Sequence, residues 1–278
     1  MAGAVIERLT HPGPVAAKRF CALPVRAEPL TLILPAGVPL LEALADTGLR
    51  AAWLELADVP MARLDHLRPG PDPTGEHAAW YDGPHRADGA VMTRLGLHLG
   101  RRGGEPWLHG HGGWQGARGA GGGHVLPGAT VLAEPARARG WALEGAMLEV
   151  TPDPETRFDL FQPVPDATVK DPDAVLLTLR PNQDITLAVE AAAAAHGIRN
   201  GTVHGLGSLV APRLTMGAEA SFATEILITD GQIVNGHAAL SALVVGFGGR
   251  ITLAGLERGH CGVCVTCEIL IRRADPCC

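Results

Sequence analysis

The sequence predicts an α+β protein built from two similar halves, each a mainly antiparallel β-sheet packed with one helix. Three observations lead there. The 278 residues suffice for two cores of ordinary domain size. The 36 Gly and 22 Pro divide the chain into many short segments, which favours short strands over long helices. One order of strand, helix and strand signals also occurs twice, and such self-similarity fixes architecture before any motif does.

In the first half, Leu32 to Pro35 reads as a strand ended by proline, and Pro39 to Ala45 as an apolar-periodic helix that stops at Gly48. In the second, Leu176 to Pro181 and then Ile185 to Ala195, ending at Gly197, repeat that order. Proline near the start and glycine just past the end are helix punctuation. Short strand segments follow, Ala51 to Leu56 and Thr202 to Leu206, leading to Arg63-Leu64 and Arg213-Leu214. Each half then carries an apolar strand, Val91 to Leu99 or Phe222 to Ile228, a histidine-bearing region, and a Gly-His entering the apolar run that closes it, Val125 to Val150 or Cys261 to Ile271. The expected domains are 28–150 and a shorter 174–272. Between them Thr151 to Asp173, with Pro152, Pro154, Pro163, Pro165 and Pro172, reads as a linker whose Phe158, Leu160 and Phe161 dock on a neighbouring surface.

Composition narrows the function classes. The formal charge is -6 and only Lys18 and Lys170 are lysines, so no overall positive field draws the chain to nucleic acid or anionic lipid. The Arg, Ala, Gly and Pro bias is that of a GC-rich bacterium. Residues 1–19 lack the pattern of a secretory signal, and no apolar run approaches the roughly 18 residues of a membrane helix, so a cytoplasmic protein with no membrane partner is expected. In a reducing compartment its six cysteines are expected as free thiols.

The order of motifs resembles the plant and prokaryote conserved (PPC) domain, prokaryotic type without an AT-hook, in two tandem copies. In the second half Leu179 to Gly197 and Val203-His204-Gly205-Leu206-Gly207-Ser208-Leu209 are similar to the family's strand, helix and Gly-x-Gly-Ser turn. In the first, Trp107-Leu108-His109-Gly110-His111 and Gly122-Gly123-His124 are similar to its His-x-His and Gly-Gly-His elements. Each half departs where the other agrees: Glu55-Leu56-Ala57-Asp58-Val59 stands in place of the glycine turn, while Asn235-Gly236-His237 and Gly259-His260 keep two of three histidines. The resemblance implies a domain of unknown function that assembles as a homotrimer, and a DNA-binding label borrowed from plant relatives.

Seven of the 12 histidines lie between His66 and His124. On a strand, residues two apart share a face, so His109 and His111 converge, and His124 from a neighbouring strand completes a set suited to zinc or another divalent metal. The alternative is a hydrogen-bonded histidine cluster without metal. Asn235 in place of an imidazole makes the second half the degenerate structural partner. Cys261, Cys264 and Cys267 copy an iron-sulfur spacing but fall in a closing strand, where they read as small buried hydrophobes. Gly116 to Gly123 reads as a hairpin loop, Gly207-Ser208-Leu209 as a turn, and Arg101-Arg102-Gly103-Gly104 as a solvated turn.

Three functions remain open. The first is a trimeric binding or assembly protein with a histidine metal or small-ligand site. The second is a metal-dependent enzyme with His109, His111 and His124 as ligands and Glu55 or Asp58 as base. The third is a DNA-binding regulator, with nucleic-acid contact disfavoured by charge.

Overall fold

The structure, a computed structural model, describes residues 6–215, 217–218 and 221–274. In chain order the elements are β1 (Phe20–Leu34), α1 (Leu40–Ala45), β2 (Ala52–Leu56), β3 (Val59–Arg63), β4 (Asp65–Gly70), β5 (Trp80–Arg86), β6 (Val91–Arg102), β7 (Glu105–Gly116), β8 (Gly119–Val125), β9 (Val131–Leu132), β10 (Ala136–Glu144), β11 (Ala146–Pro152) and β12 (Asp159–Pro165). There follow β13 (Ala174–Leu179), α2 (Ile185–Ala195), β14 (Gly201–Val210), β15 (Arg213–Leu214), β16 (Gly217–Ala218), β17 (Ala223–Val234), β18 (His237–Val245), β19 (Ile251–Gly255) and β20 (Gly262–Arg273).

The α+β expectation is corrected. The fold is β-rich, with 58% strand, 9% helix and only two α-helices among the described residues. Helix punctuation marked both helices, but α1 is only six residues long, while most of Gly116 to Gly123, read as a hairpin loop, is strand. Gly110, Gly112 and Gly113 lie within β7, and Gly121 to Gly123 within β8, leaving only Ala117 and Arg118 between the two strands. The turn expected at Gly207-Ser208 is likewise the middle of β14. Low strand propensity of glycine yields here to close packing. A Cβ on Gly113 would sit 2.4 Å from Leu243 Cδ1, and one on Gly122 2.7 Å from both Val245 Cγ2 and Ile251 Cγ2.

Both halves follow the same course. In the first, neighbours run β1, β10, β2, β6, β7, β8; in the second, β13, β20, β14, β17, β18, β19, all antiparallel. In each, the closing strand inserts between the first strand and the one after the helix. Strand β1 joins the two, pairing Phe20 to Val25 with β13 and Arg26 to Leu34 with β10. The first half adds β3, β4 and β5, the last two an antiparallel pair beside β8. Within Thr151 to Asp173, β12 pairs with β11, and Phe161 is buried.

Helix α2 starts at Asp184, whose carboxylate accepts the Leu187 N–H at 2.9 Å, and ends before Gly197 at φ 66°. Its Ile185, Val189 and Ala192 enter the core of the second half; burying the two branched side chains contributes about 1.5 to 3 kcal/mol each. A separate core fills the first half around Leu40, Leu54 and Leu97. A third is shared, with Trp53, Leu148 and Phe161 packing on Leu206, Leu227, Leu243 and Leu270. No helix among the described residues is long and apolar enough to cross a membrane.

Candidate metal centre

His109 and His111 occupy alternate positions of β7 and so project from one face of the sheet. His124 on β8 lies directly opposite His111 in the antiparallel register. The ring centroids are 4.8 Å apart for His109 and His111, 4.8 Å for His109 and His124, and 5.4 Å for His111 and His124. One nitrogen of each falls within 4.8 Å of the others. Among the described residues this is the one group of three or more His, Cys, Asp or Glu side chains close enough to share an ion.

The second half completes the surroundings. Strand β17 brings the Ile226 carbonyl to 2.9 Å from His111 Nδ1, so that nitrogen carries the proton and Nε2 is left as a ligand. His109 Nε2 is 3.1 Å from His111 Nε2. Glu268 Oε2 of β20 lies 2.9 Å from His109 Nδ1, and Glu225 Oε2 of β17 lies 3.1 Å from His111 Nε2. Both carboxylates are buried, at 1% and 4% exposure. His124 Nδ1 is buried without a hydrogen-bond partner.

Burial holds His111 and His124 well below the ordinary imidazole range, and the neighbouring His109 pushes both the same way, so they are neutral, ligand-ready imidazoles. For His109 burial also lowers the value, but the Glu268 carboxylate outweighs it and the net direction is up. Burial, reinforced by Glu268, pushes Glu225 up to about 8. Three imidazoles in reach of one point, one positioned by a carbonyl and one by a carboxylate, fit a borderline divalent metal.

The other sequence candidates lie elsewhere. Glu55 accepts the Trp53 Nε1–H at 2.9 Å and meets His204 Nδ1 at 3.1 Å; Asp58 sits at φ 55° between β2 and β3. Neither lines the histidine cleft, which excludes them as its base. Asn235, at φ 52°, and Gly236, at φ 86°, are the central pair of a two-residue hairpin turn between β17 and β18, not the remnant of a ligand. His237 is exposed beside Glu190. Cys261, Cys264 and Cys267 are buried free thiols, and burial pushes the first two up to about 12. Cys277 and Cys278 lie outside the described residues. Arg102 pairs with Asp159 at 2.9 Å and lies over Trp107.

No protein-family model and no curated protein matches the chain. Among solved structures it is similar to a candidate DNA-binding protein from Ralstonia eutropha JMP134, at 18% identity and a TM-score of 0.39, over 48% of this chain and 89% of that one. It is also similar to a metal-containing protein from Archaeoglobus fulgidus, at 16% identity and a TM-score of 0.36, over 49% of this chain and 93% of that one. A plant- and prokaryote-conserved protein from Pyrococcus horikoshii matches at 17% identity and a TM-score of 0.37, over 56% of this chain and all of that one.

Sequence reasoning missed Glu225 and Glu268. The signal was there: each opens an identical Glu-Ile-Leu-Ile stretch, 225–228 and 268–271, a charged residue inside a strand otherwise fit for a core.

His109 and His124 border a cleft of about 410 Å³, and His111 lies buried behind them. Its walls are largely apolar, with Tyr81, Trp107, Phe158 and Phe161, and its polar groups include Ser208 and Thr266 beside the two carboxylates. Such a cavity suits a small ligand with one oxygen-bearing end.

Proposed function

We propose that this chain is a PPC-like binding protein of two tandem copies, in which one divalent-metal site for a small ligand is assembled from both. His109, His111 and His124 hold the ion, zinc or another borderline metal; Glu268 orients His109, and Glu225 stands beside the ion as a further oxygen ligand. The repeated strand order supports the tandem reading. The observation that carries the site is the convergence of three first-half imidazoles with two buried second-half carboxylates, of which His109, His124 and both carboxylates line one cleft. When bound, the ion supplies a Lewis acid for an oxygen of the ligand. The second half is thereby a contributor to the site, in place of the structural partner expected from Asn235. A homotrimer remains the proposed assembly, and light scattering giving a stable monomer or dimer mass would count against it.

The test is elemental analysis after dialysis against zinc. The unmodified chain should retain about one ion, and His109→Ala with His111→Ala should lose it while His237→Ala with His260→Ala keeps it. No metal in the unmodified chain would end the proposal. The enzymatic reading stands second, because the cleft opens directly onto His109 and His124. It requires turnover of a carbonyl or ester compound that disappears with the same double substitution.

A further inference from the structure

A second cavity, of about 430 Å³, lies between the β7–β8 hairpin, the β4–β5 pair and the Gly248-Gly249 turn of the second half. Arg68, Arg86, Arg118 and Arg250 line it, and among the described residues Asp88 is the one acidic residue in its walls. Arg86 is shared with Asp65, whose carboxylate it meets at 2.8 Å. Arg68 is not so matched: its Nε is buried without a hydrogen-bond partner. The Arg68 side chain passes over Gly249, where a Cβ would sit 2.7 Å from that Nε and where φ is 78°, so both space and backbone call for glycine. His66, 1% exposed, lines the same cavity with its ring 4.4 Å from that of Trp114. Neither of its nitrogens has a hydrogen-bond partner of proper geometry, although the Leu64 backbone lies close.

Arg68 and Arg118 bring two guanidinium groups to one concavity, and a buried donor without an acceptor costs about 1 to 3 kcal/mol. An oxyanion answers both, because the planar guanidinium fork matches its oxygens in pairs. Gly116, Gly119 and Gly121 leave backbone on the opposite wall, so a ligand can approach closely. We propose that this cavity binds the phosphoryl or pyrophosphoryl group of a small molecule, held by Arg68 and Arg118 with the His66 ring against it. The site is separate from the histidine cleft and does not depend on a metal. It is not a phosphate loop, since no residue of α1 or α2 lines it; the charge comes from side chains brought together by the packing of the two halves.

The experiment is calorimetric titration of the full chain, stripped of metal by chelation, with inorganic phosphate and with pyrophosphate at constant ionic strength near neutral pH. One saturable site per chain is expected, tighter for pyrophosphate. Arg68→Gln should weaken it about tenfold or more, the effect of removing a charge-assisted contact. Arg118→Gln, at the exposed hairpin tip, should do the same and serves if the Arg68 variant does not fold. His109→Ala should leave it unchanged. Absence of saturable binding by both anions, or undiminished binding in both arginine variants, overturns the proposal. So does a duplex oligonucleotide that displaces pyrophosphate at equal phosphate concentration, since the site would then belong to nucleic acid.

Discussion

His109 Nδ1 and Glu268 Oε2 meet at 2.9 Å, the imidazole from β7 of the first half and the carboxylate from β20, the last strand of the second. A carboxylate in that position fixes the ring and raises its basicity toward a metal. Glu268→Gln should therefore weaken zinc binding about 10- to 100-fold, measured by competition with a chromophoric chelator. Unchanged affinity would remove Glu268 from the site.

Glu225 lies on the other side, 3.1 Å from His111 Nε2. If it contributes an oxygen to the ion, Glu225→Gln should both lower cobalt affinity and change the visible absorption of the cobalt-loaded protein. A lower affinity with an identical spectrum would mean that Glu225 acts only through its charge.

Gly122 tests the packing that brings these strands together. Its Cβ would enter the space of Val245 and Ile251, so Gly122→Ala should destabilise by about 1 to 3 kcal/mol in urea unfolding and weaken the metal site through the adjacent His124. Gly128, with nothing within 4 Å of its added Cβ, is the control, and its Ala variant should stay within about 0.5 kcal/mol of the parent.

Stability at low pH depends on another contact between segments. Arg19 binds Glu155 at 2.7 and 2.9 Å, and Arg180 pairs with Asp153. Burial opposes ionisation of both carboxylates, but hydrogen bonds from Thr156 and Arg180 to Asp153, and from Arg19 and Ala16 to Glu155, prevail and lower both. Groups lowered in the folded state contribute fully above the ordinary carboxylate range, and that contribution is lost as pH falls through their lowered folded values. Thermal unfolding should thus lose stability below about pH 4. Arg180→Gln should unfold more easily at neutral pH, by about 2 to 4 kcal/mol, and show a shallower acid slope. An equal slope would exclude this network as its source.

The sequence by itself determined the local features. Both helices, the main strands and the shared face of His109 and His111 follow from periodicity and punctuation, since side-chain direction along a strand or helix depends only on neighbouring residues. The Asn-Gly pair at 235–236 was equally local, a hairpin turn whose chemistry is visible in two residues, although motif order drew attention to His237 instead. Gly116 to Gly123, the end of β7 and most of β8, read as a loop because low propensity is legible in sequence while the partner that rewards it is not. Leu243, Val245 and Ile251 are far along the chain, and only their approach gives Gly113 and Gly122 a reason to be small. The same approach places Glu225 and Glu268 against the histidines and Gly249 against Arg68. Which distant strands lie side by side is decided by burial of whole faces, a property of the assembled sheets that no local pattern carries.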